Sequence, residues 1–532
     1  LNVFEQIPAL SHNRPLQSNY SYFACEAKFP FMANQLFIRK SLDKILGQAE
    51  GSGEHQFKRT LTSTHLIMLG IGAIIGAGLF VRTAAAAAEH AGPSVVYSYI
   101  LAAIGCAFAG LCYAEFASSI PIAGSAYTYS YATLGEFVAW IIGWELILEY
   151  GLGAATVSIA WSEYLNKLTE QVFHFTIPYQ WCHSPFEKLY DSGGNVIASG
   201  LMNIPALFIL GILTLLLIRG THQSALVNAL IVIIKVAIVI LFIVFGWQFI
   251  NPDNHTPFVP PTGEYTDQNG TSHAFGGMFG ILAGAGTVFF AFIGFDAVST
   301  AAQEAKNPKR DMPIGILASL AICTVLYILF SYVLTGVAST EDFRTVGREA
   351  SVAFAIQTYM PGFTWLSTFV TVAILAGFSS VILVMLLGQS RVFYSMSKDG
   401  LVPSVFSKVH PTFKTPWKSN LIFLAFTGLF AAFLPGSLAG DLTSIGTLSA
   451  FVLVSAGVWI MRVKNPEMPR AFKTPLVPFV PIMGVLVCGA MMLGLDERTW
   501  MGFLGWTGIG LLVYFLYSRF HSVARKEAGE NA

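Results

Sequence analysis

Charge is what this 532-residue chain has least of: only 11% of its residues are Asp, Glu, Lys or Arg, where a soluble chain carries about a quarter. Its 30 basic and 30 acidic residues cancel, and a net charge of zero decides nothing about partners; no feature calls for nucleic acid. The six cysteines show no C-x-x-C pairing and no metal-ligand spacing, so reduced, buried packing is their expected role, and neither a metal nor another cofactor is expected. The eleven histidines are scattered mostly through tails and loops. A membrane enzyme would need a clustered catalytic set, and none is present, so the chain does not read as an enzyme. The first 31 residues lack a helical period and a signal-peptide hydrophobic region. The run MANQLFIRKSLDKIL that follows reads as a start with a short amphipathic segment, and the natural protein is expected to begin at Met32.

What fills the chain instead is apolar: 54% hydrophobic and 14% aromatic. Stretches of about 20 apolar residues are long enough to cross a hydrocarbon core of about 30 Å. Twelve are expected, with cores near 64–87, 94–119, 134–165, 200–219, 224–247, 276–303, 312–338, 360–395, 419–434, 441–461, 476–494 and 501–519. The fold class is therefore an all-α membrane protein. Lys and Arg accumulate on the cytoplasmic side of such chains. With both termini inside, 23 of the 30 basic residues fall in inner loops and tails and six fall outside. The thirtieth is Lys235.

Lys235 sits near the middle of VNALIVIIKVAIVILF, residues 227–242. A charge at the bilayer centre costs about 2.5–3.5 kcal/mol on insertion scales. About ten residues of helix, roughly 15 Å, separate it from either surface, too far for a lysine stem to snorkel. It requires a partner or a function.

Two further spans carry an interruption. GIGAIIGAGLFV, residues 70–81, puts Gly70, Gly72, Gly76 and Gly78 inside the first span, and GTVFFAFIGFDAVST, residues 286–300, puts Gly294 and Asp296 inside the sixth. A glycine stripe alone is also a packing face. A nucleotide-binding loop is excluded, because the glycines follow no strand. Spans one and six open two sets of five, and interrupted helices at matching places point to a transporter site built on an inverted repeat. Broken helices expose N–H groups at one half and C=O groups at the other. An α-amino acid matches both: its carboxylate suits the amides of Gly76, Ala77 and Gly78, and its ammonium suits the carbonyls near Ile74 and from Phe289 through Phe290 to Ala291. Phe290 is then positioned as an aromatic gate.

GAIIGAGLFV, CYAEFASSIPIAGSAYTYSYATLGE, WELILEYG, FFAFIGFDAVSTAAQEAKNPKRDMPIGI and GQSRVFYSMSKDGLVP together resemble the amino acid permeases of the APC superfamily, in the cationic amino acid transporter branch and its bacterial relatives. The likeness runs over about residues 60 to 520. It implies a LeuT-like five-plus-five inverted repeat: a cytoplasmic tail at 1–62, repeats at 63–247 and 276–461, two extra helices within 476–519 and a tail at 520–532. It also implies L-amino acid transport linked to protons or run as exchange, in a bacterial plasma membrane. Ala77 departs from the bacterial relatives, which often carry threonine there.

The resemblance further puts the Lys235 ammonium where sodium-coupled members of the fold hold a cation, with carbonyls near Gly72 and Ala73 and the start of 376–380 as partners. Burial favours a neutral lysine and carbonyl contacts favour a charged one, so its protonation could couple to transport; a permanently charged tether is the alternative. Glu149, one turn after Glu145, is read either as a substrate or proton partner or as a structural hydrogen-bonding group. Asp296 is read either as a coupling group or as a cap on the second half of helix six. Glu115 reads as structural. Met385 is brought by the resemblance to the side-chain end of the pocket, where it takes room a long cationic substrate needs. Small or neutral L-amino acids are therefore expected ahead of arginine and lysine. A permease selective for those cations and a non-transporting sensor of the same fold are the alternatives.

Overall fold

In hydrocarbon no backbone group can go unpaired, so apolar stretches of this length are forced into helix. A computed structural model describes residues 36–40, 60–120, 124–190, 195–220, 225–266, 272–345, 351–413 and 415–530. The expected start at Met32 lies outside them. Among the described residues, eight helical segments are long and apolar enough to cross a membrane: Gly78–Ser119, Glu136–Phe173, Ala229–Phe249, Gly277–Ala302, Pro308–Val337, Thr364–Lys398, Gly436–Lys464 and Glu497–His521. Shorter apolar helices accompany them at Ser63–Ile74, Ile204–Arg219, Trp417–Phe433 and Phe479–Leu493. The molecule is a multi-span helical membrane protein.

Each expected apolar stretch is helical over most of its length, and the departures have local causes. The stretch expected at 200–219 starts helix only at Ile204, because the Asn203 side chain accepts from Ala206 N at 3.1 Å and Pro205 occupies the first turn. The third stretch runs on to Phe173 and changes to π-helix over Leu148–Leu152. The eighth, Thr364–Lys398, has 35 residues, about 52 Å at 1.5 Å per residue, and must tilt or project. Two antiparallel hairpins lie in loops: β1 (Lys188–Tyr190) with β2 (Val196–Ser199), and β3 (Gly263–Thr266) with β4 (Ser272–Phe275).

Buried charges at one end of the bundle are held in explicit networks. Glu115, fully buried on Val95–Ser119, takes both Arg462 nitrogens at 2.8 Å, the Arg470 guanidinium at 3.1 Å and Thr474 N at 2.8 Å. A buried helix absent from the expected spans, Ser125–Thr133, leads into Glu136. The Glu136 carboxylate accepts from Tyr131 and Tyr514 at 3.0 Å each, from Ser522, and from Arg525 Nε at 2.7 Å. Nearby, Lys40 reaches Asp399 at 2.6 Å and the Tyr127 hydroxyl donates to the same carboxylate at 2.8 Å. Residues 36–40 and the chain beyond Ser518 therefore grip one floor. Leu61, just before the first helix, pairs with the end of the sixth stretch: its N–H donates to Glu304 O at 3.0 Å, and Lys306 N donates to its carbonyl at 2.8 Å.

Arg525→Ala would strip Glu136 of the guanidinium that pairs with it while leaving three hydroxyl donors, at a cost of about 3 kcal/mol, the low end for a broken buried pair. Thermal unfolding of the purified protein should show the loss, and a combined Glu136→Gln and Arg525→Met variant should regain part of it.

Candidate functional site

The first interruption follows from three residues. The helix Ser63–Ile74 stops at Ile75, whose backbone is extended (φ −72°, ψ 103°), and helix resumes as a π-turn at Gly78–Arg82. The second is its counterpart. The helix Gly277–Phe289 tightens into a 3₁₀ turn over Phe290–Phe292, Ile293 turns extended (ψ 135°), and a 3₁₀ run begins at Asp296. Gly294 sits at φ +113°, a conformation only glycine adopts without strain.

The two interruptions touch. A Cβ on Gly78 would fall 2.2 Å from the Ala291 Cα, and one on Gly294 would fall 3.0 Å from the Ala73 carbonyl. Backbone meets backbone here, so these glycines are demanded by the approach itself.

The freed carbonyls of the first half-helix are taken up in order. Lys235 is 2% exposed and donates from Nζ to Gly72 O at 2.9 Å and Ile75 O at 3.1 Å. Gly72 is one of the expected acceptors. Ile75 stands where Ala73 was expected, because the extended Ile75 backbone turns its carbonyl out of the helix. At 376–380 the contact is packing: the lysine stem lies against Gly377, where an added Cβ would meet Cε at 2.7 Å. Tyr327 then bridges the two interruptions, its hydroxyl 2.9 Å from both Ile74 O and Ala291 O. One hydroxyl proton cannot serve two acceptors at once, which leaves a lone pair for another donor. On the far side, the Tyr99 and Tyr164 hydroxyls reach Gly78 O at 3.3 Å and Phe80 O at 3.2 Å. Among the described residues the Gly76 N–H makes no hydrogen bond to backbone outside the regular elements.

Beside these carbonyls lies an acidic pair. Glu149, in the π-turn, and Asp296 are both fully buried and face one another. Glu149 lies within reach of Asp296 and Thr447, and Asp296 Oδ2 accepts from the Tyr150 hydroxyl at 2.7 Å. Such a pair needs a proton or an incoming cation. Asp296 is the first residue of its 3₁₀ run, with Phe295 in the cap position and no side-chain cap bond. Met385, 5% exposed, lies against Gly153, where an added Cβ would be 3.0 Å from Sδ, and close to Thr443. Phe290 is buried at the turn, and Phe289 packs edge-on against Phe451 at 5.5 Å. Ala77 is buried at the head of the π-turn.

Ion pairs close both ends. Arg82 pairs with Asp441 beyond the Gly78 side, and Arg391 holds Glu304 at 3.1 Å beyond the other. Outside the helices, burial pushes the Asp496 carboxyl up, but the His273 bond at 2.9 Å and the charges of His273, His90 and Arg82 outweigh it and hold the group below its usual range.

Of the residues singled out from the sequence, Lys235 contacts the first interruption and Glu149 faces Asp296 just after the second, while Met385 lies against Gly153. Tyr327, Tyr99, Tyr150, Arg82 and Asp441 were not singled out from the sequence. Arg82 carried a signal, a lone cation at the end of an apolar span; the tyrosines carried none.

The chain matches the family model described as Amino acid permease over residues 61–514. It is 43% identical over 491 residues to a branched-chain amino acid permease, BcaP, of Bacillus subtilis, covering 92% of this chain and 99% of that one. A methylthioribose transporter of the same organism is 40% identical, covering 93% and 100%. The vacuolar cationic amino acid transporter 4 of Arabidopsis thaliana is 31% identical, covering 82% and 68%. Paired interruptions whose backbone is held open by a lysine and a tyrosine accord with what these matches establish: the chain belongs to the amino acid permease family, a family of transporters rather than enzymes.

Proposed function

We propose that the chain carries L-amino acids across a bacterial plasma membrane by alternating access. In this reading twelve spans form a five-plus-five inverted repeat, at 63–247 and 276–461, followed by two helices within 476–519, and both termini are cytoplasmic. The 23-to-6 distribution of basic residues supports that orientation. One observation carries the functional reading: the two interruptions meet, Gly78 against Ala291, with amide donors on one side and carbonyl acceptors on the other. The substrate carboxylate takes the amides of Gly76, Ala77 and Gly78. Its ammonium joins the Ile74 and Ala291 carbonyls that Tyr327 bridges. Phe290 closes over it, Met385 bounds its side chain, and Glu149 is the acid nearest a distal cation. Small and neutral substrates are favoured, in keeping with the branched-chain permeases named among the relatives. Lys235 and Asp296 couple the cycle to protons, uptake and exchange both being compatible with the arrangement.

The methylthioribose relative supports a second reading. A thiosugar presents neither carboxylate nor ammonium, so it leaves the two charge-matched sets of backbone groups unused. Uptake into proteoliposomes, tested over all amino acids and methylthioribose at several pH gradients, separates these readings and also separates a carrier from a sensor. Alanine and the branched-chain amino acids should compete with one another, and methylthioribose should not compete. Tight arginine binding without competition from alanine would instead make Glu149 the specificity determinant. Met385→Ala should improve arginine binding by opening room beside Gly153.

Lys235→Met should fold, since an apolar side chain removes the insertion cost. Its pH-driven uptake should fall about 5- to 150-fold, the range of ordinary coupling energies. Unchanged uptake at every pH would leave Lys235 a tether only. Gly76→Leu should abolish ligand-induced thermal stabilisation, because even a Cβ there lies 3.2 Å from Val381 and the rest of the side chain must enter the substrate space. Normal affinity in that variant would reduce the glycines to packing.

A further inference from the structure

Two neighbouring helices are too short for the bilayer they cross. Ile204–Arg219 has 16 residues and Trp417–Phe433 has 17, so at about 1.5 Å per residue each spans about 24–26 Å of a core of about 30 Å. They run antiparallel and end level. At one end the Thr415 hydroxyl donates to Ile218 O at 2.7 Å, and at the other Asn203 N donates to Ala432 O at 3.1 Å. Arg219, Trp417 and Lys418 cluster at the first end, the residue types that anchor a helix at the membrane surface. The shortfall therefore falls at the end marked by Asn203 and Ala432.

That end carries the loop between Phe173 and Asn203, fixed in place by Asn203 Nδ2 donating to Cys182 O at 2.6 Å, Leu201 N to Gln180 O at 2.9 Å and Ile177 N to Asn166 Oδ1 at 2.7 Å. Its exposed apolar side chains form a patch of Phe173 at 72%, Phe186 at 68%, Ile197 at 63%, Leu201 at 52%, Val196 at 49% and Leu189 at 43%, with Gln180 and Lys188 exposed among them. Large exposed apolar side chains gathered in one loop mark an interaction surface. The helix that follows adds Ile204 and Phe208, exposed by 43% and 59%. Within the hairpin β1 and β2 pair with one another, so much of the backbone brings its own hydrogen bonds to the site.

We propose that this loop lies in the polar–apolar interface of the bilayer, with its hairpin side chains dipping among the lipids and making up the length that the two short helices lack. The occupant of the patch is lipid, and the loop is an interfacial anchor for this side of the bundle.

The test labels Ile197→Cys with an NBD fluorophore in a Cys25→Ser background, the remaining five cysteines being buried. The protein is placed in nanodiscs of phosphatidylethanolamine and phosphatidylglycerol, some carrying a nitroxide on the first carbons of the acyl chain. Glu341→Cys, at a side chain 71% exposed and flanked by polar residues, is the aqueous reference. Shallow nitroxide lipid should quench the label at 197, and aqueous iodide should quench it several-fold less than at 341. Iodide quenching equal to that at 341 would put the loop in water and overturn the proposal. Protection from both quenchers would show a protein covering the patch and overturn it equally.

Discussion

A helix interrupted in the middle of a membrane leaves carbonyls and amides that lipid cannot satisfy, and the polar contacts at the centre of this structure answer that demand. The first half-helix ends on Gly72, Ile74 and Ile75, whose carbonyls are met by one ammonium and one phenol from two other helices. The resumed half is met by two more tyrosines. Because each donor comes from a different helix, the interruption is also a junction: Lys235 and Tyr327 bind the opened backbone to the helices Ala225–Gly246 and Pro308–Val337.

The acids fall into two kinds. Glu115 is held by two arginines and the Thr474 N–H, Glu136 by one arginine and three hydroxyls, and both fasten helices and tails at one end of the bundle. Glu149 and Asp296 are as deeply buried but face each other, and among the described residues no arginine pairs with either. Equal burial thus goes with two different kinds of partner.

Much of this was legible in the sequence because it depends on local pattern. Twelve apolar stretches, the glycines at 70–78 and 294, and a lysine too deep to snorkel each follow from rules that act within one helix. Gly72 as a partner for Lys235 came from the family resemblance rather than from spacing. What escaped was set by contacts between helices. Tyr327, mid-span and aromatic, looks like any core residue until two carbonyls 2.9 Å away are seen to converge on it. Ile75 replaced Ala73 as an acceptor through one backbone torsion that no composition reveals. The Ser125–Thr133 helix is too short and polar for a span, and only its burial beneath the tails makes it part of the core.

The backbone pairing of Leu61 with Glu304 and Lys306 gives the two interrupted helices a shared mechanical fate. Below the interruptions the half-helices are yoked at their free ends by two hydrogen bonds, while above them Gly78 is wedged on Ala291. A pair of levers joined at handle and pivot has one swing rather than two. Neither of these half-helices can tilt far without loading the other through those two hydrogen bonds.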